Sequence, residues 1–168
     1  WEILNKMIDH KRDENYTYAA MEQFRGKYLV QDRYTGKIFE TPQVALILIG
    51  ATLFHKYPKD TRMKWVKEFY ESVSKFEISL PTPVMAGVRT SIRQFSSCVL
   101  IESGDSLDSI NATAASIVKY VSKRAGIGIG GGAIRAIGSS INGGHATHTG
   151  AIPFYKHFQS AVRSCSQG

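Results

Sequence analysis

The sequence predicts an α/β protein in two parts: a mostly helical N-terminal region, residues 1–80, and a strand–helix–strand region, residues 81–168. Three observations carry that expectation. Residues 41–75 hold two successive helical patterns parted by Tyr57-Pro58. Residues 97–129 run as strand, acidic turn, amphipathic helix and a second short apolar run. Between them, Leu80-Pro81-Thr82-Pro83 marks a shift from amphipathic helices to strands, glycine and serine, and the prolines push Leu80 and Thr82 toward extended geometry.

Taken in order, residues 2–10 place Ile3, Leu4, Met7 and Ile8 on one helical stripe. Residues 9–15 read as a charged, solvated connection, residues 18–24 resume a helical pattern, and residues 28–32 read as extended before a turn at 33–37. Thr41-Pro42 is a helix start, with a hydroxyl cap and a proline in the first turn. The helix over 43–56 is apolar nearly all round and should be buried. A second helix after Asp60 or Thr61 carries Met63, Val66, Phe69, Tyr70 and Val73 on one face, with Lys64–Glu68 and Lys67–Glu71 as i,i+4 pairs outside.

In the second part, residues 97–102 show little alternation, as expected of a strand covered on both faces. Asp105 or Ser106 caps a helix with the stripe Leu107, Ile110, Ala114, Ile117 and Val121, and Gly126 is its natural left-handed stop. Residues 127–129 suit a buried strand, 130–132 a glycine loop, and 135–150 an irregular segment. Residues 151–165 form a last helix with Phe154, Phe158, Ala161, Val162 and Cys165 on one stripe.

Bulk properties exclude several classes. At 168 residues with 43% hydrophobic and 21% charged residues, the chain reads as an ordinary soluble domain. Its longest apolar run is too short to span a bilayer, no leader opens it, and two cysteines are no disulfide framework. A cytoplasmic setting is expected. The opening on Trp1 and close on Ser-Gln-Gly suggest a piece of a larger polypeptide. The net charge of +7 is uneven: residues 1–84 carry 13 basic and 11 acidic side chains, residues 85–168 carry 8 and 3, and none after Asp108 is acidic. Such a surface concentrates anions, phosphates above all. A non-enzymatic basic nucleotide- or nucleic-acid-binding domain is therefore an alternative, although clustered Lys/Arg and an aromatic stacking platform are missing.

Gly126, Gly128 and Gly131 fit G-x-G-x-x-G, but here a helix precedes the glycines and no long amphipathic helix follows, the reverse of the dinucleotide fingerprint. His145 and His148 form an HxxH without acids or paired cysteines nearby, a poor zinc site, so no metal is expected. Cys98 is either a small core hydrophobe or a redox thiol beside Ser96 and Ser97; Cys165 reads as packing. Asp105 either caps its helix or also accepts hydrogen bonds from a ribose. Arg135 is either a surface side chain or a fork clamping a phosphate.

Two strings, LPTPVMAGVRTSIRQFSSCVLIESGDSLDSINATAASIVKYVSKRAGIGI and HTGAIPFYKHFQSAVRSCSQG, closely resemble the large, catalytic subunit of class I ribonucleoside-diphosphate reductase. The resemblance spans residues 80–168, and the helical part before it is compatible. It implies the end of a helical region followed by the first strands of a ten-stranded α/β barrel, incomplete in this chain. The implied reaction replaces the 2′-hydroxyl of a nucleoside diphosphate by hydrogen through a thiyl radical and a redox cysteine pair. Cys98 then resembles one member of that pair, and Thr82, Ser97, Cys98 and Gly126 match substrate-touching positions. Asp105, Ser106, Leu107 and Arg135 match the effector site that takes a deoxynucleoside triphosphate or ATP at a dimer interface.

The family further implies a di-iron/tyrosyl radical in a separate small subunit and none bound by this chain. Its partners would be the remainder of the large subunit in cis or as a second chain, the small subunit, thioredoxin or glutaredoxin, and a second large subunit; no nucleic acid and no membrane. Asn142 stands where the family often has a second arginine, and Gly130-Gly131-Gly132-Ala133 lacks a common basic residue. The radical cysteine, the partner of Cys98 and the phosphate-binding loop are not in the sequence, so these residues alone are expected to be inactive.

Overall fold

The computed structural model describes residues 1–166 and divides into two compact units, Trp1–Phe95 and the chain from Ser96 onward. The divide therefore lies beyond the composition shift near residue 80. The cause is visible in the packing: residues 82–89 belong to the helical core, where Met85 and Val88 are buried.

The first unit is mainly helical, with one isolated antiparallel bridge, Gln31 to Ile38, in the expected extended stretch. α1 (Glu2–Asn5) is a single turn, and only Leu4, Met7 and Ile8 of its expected stripe reach the core, Ile3 remaining exposed. Residues His10–Asn15 are the charged, largely exposed link expected, wound as a 3-10 helix and tied to α4 where Arg12 pairs with Glu71 at 3.0 Å. α2 (Tyr18–Gln23) runs into a π-helical turn that ends at Tyr28, replacing the start of the expected extended segment.

α3 (Pro42–Leu53) begins as the sequence dictates, the Thr41 hydroxyl accepting from the Val44 N–H. Ala45, Leu46, Ile47 and Ile49 are buried, and α4 (Arg62–Ser74) packs Val66, Tyr70 and Val73 against them. Within this apolar interface the Tyr70 hydroxyl donates to Gln43 Oε1 at 2.8 Å and accepts from the Asp9 N–H at 2.9 Å, while Gln43 Nε2 is buried with no hydrogen-bond partner among the described residues. On the outer face Lys64 reaches Glu68, whereas Glu71 turns to Lys75 and Arg12 instead of Lys67.

The expected extended geometry at Thr82 gives way to a helix, α5 (Thr82–Gly87). Pro81 precedes it and Pro83 sits in its first turn, where a missing N–H costs nothing. A buried ion pair fastens it: Arg89 donates through Nε to both oxygens of Glu40 at 2.9 Å, and to the carbonyls of Met85 and Tyr28. Both side chains are only 4–5% exposed.

The second unit is built on a strand–helix–strand unit. β1 (Cys98–Glu102) and β2 (Gly126–Gly130) run parallel in register, Cys98 opposite Gly126 and Glu102 opposite Gly130. Between them α6 (Leu107–Val121) buries Ile110, Ala114, Ile117 and Val121. α7 (Ile152–Cys165) covers it with the whole expected stripe, led by Phe158. The segment expected to be irregular contains a small hairpin, β3 (Ser140–Ile141) paired antiparallel with β4 (Ala146–Thr147).

Of the two caps the sequence offers for α6, Ser106 is the one used, its hydroxyl accepting from Ser109 N–H at 3.1 Å. Two local expectations change in this unit. The left-handed stop after α6 is Arg124, because Gly126 is already in β2, donating its N–H to Ser97 O at 2.7 Å. Finally, β1 is not covered on both faces: Val99 and Ile101 are half-buried while Cys98, Leu100 and Glu102 are exposed.

Candidate functional site

The alternation along β1 explains the glycines of β2. Cys98, Leu100 and Glu102 project from one face, and register places Gly126, Gly128 and Gly130 opposite them. A Cβ on Gly128 would lie 2.7 Å from Leu100 Cδ2, and one on Gly130 would strike the Glu102 carboxylate. A Cβ on Gly126 would sit 3.5 Å from Ser97 O and 3.8 Å from Cys98 Sγ. The G-I-G-I-G string is thus a sheet face kept low beside a thiol, with isoleucines turned to the helices. This is a packing role, unlike a phosphate-binding turn.

Cys98 is a free thiol and is exposed among the described residues. Its sulfur lies 4.0 Å from the half-buried Ser97 hydroxyl. Ser97, Cys98 and Gly126 are brought together by the parallel register. Thr82 belongs to the other unit, where its hydroxyl meets the Tyr28 hydroxyl at 3.3 Å. Cys165 is half-buried among α6 and α7 residues, as its stripe position implied, and is also a free thiol.

A second constellation forms where the start of α6 faces the hairpin. Asp105 and Arg135, thirty residues apart in the chain, are joined twice: the Arg135 backbone N–H donates to Asp105 Oδ1 at 2.8 Å, and its guanidinium Nε to Oδ2. Arg135 also donates to Ser140 O at 3.0 Å. The Arg135 backbone N–H foremost, then its guanidinium, with His148 adding a smaller contribution, hold the Asp105 carboxyl below its ordinary value against opposing desolvation. Ser106 is not on the wall of the cavity beside this pair; its hydroxyl serves the helix.

That cavity measures about 480 Å³. Leu107, Ile110, Ile141 and Phe154 give it an apolar wall, and Asp105, Arg135, Asn142 and His148 line it with polar groups. Leu107 is 76% exposed, so it departs from the core stripe expected of it and serves as cavity wall instead. Asn142 sits at φ +52°, a left-handed conformation that asparagine tolerates better than most residues, and turns the hairpin with two following glycines. His148 was readable only as part of HxxH; no local signal placed it against residues forty positions earlier. No group of three or more His, Cys, Asp or Glu suited to a metal occurs among the described residues, and no described helix is long and apolar enough to cross a membrane.

The chain is therefore a mainly helical unit followed by an α/β unit built on a parallel strand pair, and comparison with known proteins shows which family has both. Residues 14–93 match the ribonucleotide reductase all-alpha domain and residues 96–168 the ribonucleotide reductase barrel domain, meeting where the two compact units divide. The ribonucleoside-diphosphate reductase subunit alpha of Haemophilus influenzae is 66% identical over all 168 residues. Subunit alpha of reductase 1 from Escherichia coli is 66% identical over 98% of this chain, and that of Enterobacteria phage T4 60% over 99%. This chain spans 22% of the length of each. It belongs to the ribonucleotide reductase large-subunit family. These matches do not favour the nucleic-acid-binding alternative.

Proposed function

We propose that this chain is the part of a cytoplasmic ribonucleoside-diphosphate reductase large subunit that carries one redox cysteine and the effector pocket. The whole enzyme reduces ribonucleoside diphosphates to deoxyribonucleoside diphosphates for DNA synthesis. What supports the reading most is an exposed thiol on a strand whose neighbour is cleared of side chains beside it, in a chain 66% identical to named reductase subunits.

On this reading Cys98 is the catalytic residue. With a second cysteine from the remainder of the subunit it gives up two electrons and two protons, becomes a disulfide, and the ribose 2′-oxygen leaves as water. Ser97 and Thr82 hydroxyls hydrogen-bond the substrate, and Gly126 leaves room for it next to the sulfur. Thioredoxin or glutaredoxin returns the disulfide to two thiols. A di-iron/tyrosyl radical held by the small subunit supplies the radical equivalent, and no residue of this chain is assigned to it. The complete barrel has ten strands, of which β1 and β2 are the first.

Asp105, Leu107 and Arg135, with Ser106 fixing the start of α6 between them, form the effector site for a deoxynucleoside triphosphate or ATP at the contact with a second large subunit. The mixed apolar and polar lining of the cavity suits a base on one side and a sugar and phosphates on the other. The test uses the full-length subunit. Cys98→Ser should abolish dithiol-driven turnover while effector affinity stays unchanged; Arg135→Ala should weaken effector binding about tenfold or more, as expected for loss of a charge-assisted hydrogen bond. Turnover in Cys98→Ser, or an unchanged effector dissociation constant in Arg135→Ala, refutes the corresponding assignment.

A further inference from the structure

His148 stands out among the polar groups of the cavity because its ring is fixed on two sides. It stacks on Phe154 with centroids 5.6 Å apart and planes 22° from parallel. Its Nδ1 accepts the Gly150 N–H at 3.0 Å. A backbone N–H can donate only to an unprotonated ring nitrogen, so the neutral ring carries its proton on Nε2. The result is a pre-aimed N–H donor on the wall of the cavity that also contains the Asp105 carboxylate. Asp105 and His148 both line this one cavity. Asp105, tied to Arg135, offers only acceptor oxygens to a ligand. A ligand atom between them must donate to one and accept from the other, which a hydroxyl does and a phosphate oxygen does not.

We propose that His148 is a nucleotide-contacting residue: its Nε2–H donates to the 3′-hydroxyl oxygen of a bound deoxynucleoside triphosphate, whose hydroxyl proton is accepted by Asp105. The inference rests on reading this cavity as the effector pocket. It adds a sugar-reading group that the sequence had left as a loop histidine.

Two substitutions separate binding from architecture. His148→Asn keeps a polar atom near the Nδ1 position to receive the Gly150 N–H but has nothing at Nε2; His148→Gln reaches the Nε2 position with an N–H donor. Affinities of the full-length large subunit for deoxythymidine triphosphate and for its 2′,3′-dideoxy analogue are measured by calorimetry, with thermal unfolding alongside. His148→Asn should weaken deoxythymidine triphosphate about tenfold, the usual weight of one buried hydrogen bond. It should leave the dideoxy analogue and the unfolding midpoint unchanged, and His148→Gln should recover most of the loss. Wild-type affinity in His148→Asn, an equal loss with the dideoxy analogue, or a loss that follows a fall in the unfolding midpoint would each overturn the proposal. Arg135→Ala is the control: if it binds like wild type, or if wild type binds no triphosphate, the pocket reading itself falls.

Discussion

The ion pair between Arg89 and Glu40 gives the sharpest energetic expectation. Both side chains are almost fully sequestered, at 4% and 5% exposure. Arg89 donates to the Glu40 carboxylate, to Tyr28 O at 2.8 Å and to Met85 O at 2.6 Å, while Glu40 Oε1 also accepts the Val30 N–H at 2.7 Å. Replacing Arg89 with Met keeps the aliphatic stem but leaves a buried carboxylate with one remaining donor and takes a donor from each of two carbonyls. Breaking a buried pair in this way costs about 3–5 kcal/mol. For a unit of this size that lowers the midpoint of thermal unfolding by roughly 15 °C or more. Calorimetry or urea unfolding followed by circular dichroism measures it, and the double variant Arg89→Met/Glu40→Leu should recover most of the loss because no charge is then stranded. An Arg89→Met variant within about 1 kcal/mol of wild type, or a double variant no better than the single one, would refute the reasoning. Because Arg89 grips the last residues of α5 and the carbonyl of Tyr28, the same single variant should also disturb the Thr82–Tyr28 contact.

Two further outcomes follow from local geometry. Gly150→Ala should destabilise by about 1–3 kcal/mol, since the residue sits at φ +85° and its Cβ would press on Ile137 Cβ at 3.2 Å, whereas Gly128→Ala should cost less than about 1 kcal/mol because the obstructing Leu100 tip is free to swing into solvent; urea unfolding of the two variants compares them. The Asp105 carboxyl is held below its ordinary value in the fold, so its contribution is complete above that value and is lost as pH falls through the lowered one; Asp105→Asn should flatten the acid limb of a stability-versus-pH curve, and an unaltered limb would contradict the Arg135 tie.

Much of the helical architecture was legible because it rests on local chemistry. Thr41-Pro42 starts α3, Ser106 and Asp108 start α6, and the spacing of Phe154, Phe158 and Val162 declares the buried side of α7. The resemblance singles out Cys98, Asp105 and Arg135, and the fold joins the last two. What misled was pattern without neighbours. The apolar run at 98–102 implies two covered faces, yet in the chain one face is open and cleared by the glycines of β2. Leu107 fits a core stripe by period and nevertheless is exposed and lines a cavity, together with hairpin residues and Phe154 of α7.

The amino-acid order by itself determined the long helices α3, α4, α6 and α7, the Thr41 cap and the family, since these depend on residues within a turn of one another or on long matching strings. Only the tertiary structure decided that Arg135 meets Asp105, that Arg89 meets Glu40, that Cys98 is accessible and that His148 looks into the same cavity as the acidic turn. The reason is physical: period and propensity report which side of an element is apolar, but not which distant element supplies the partner for a polar group left on it.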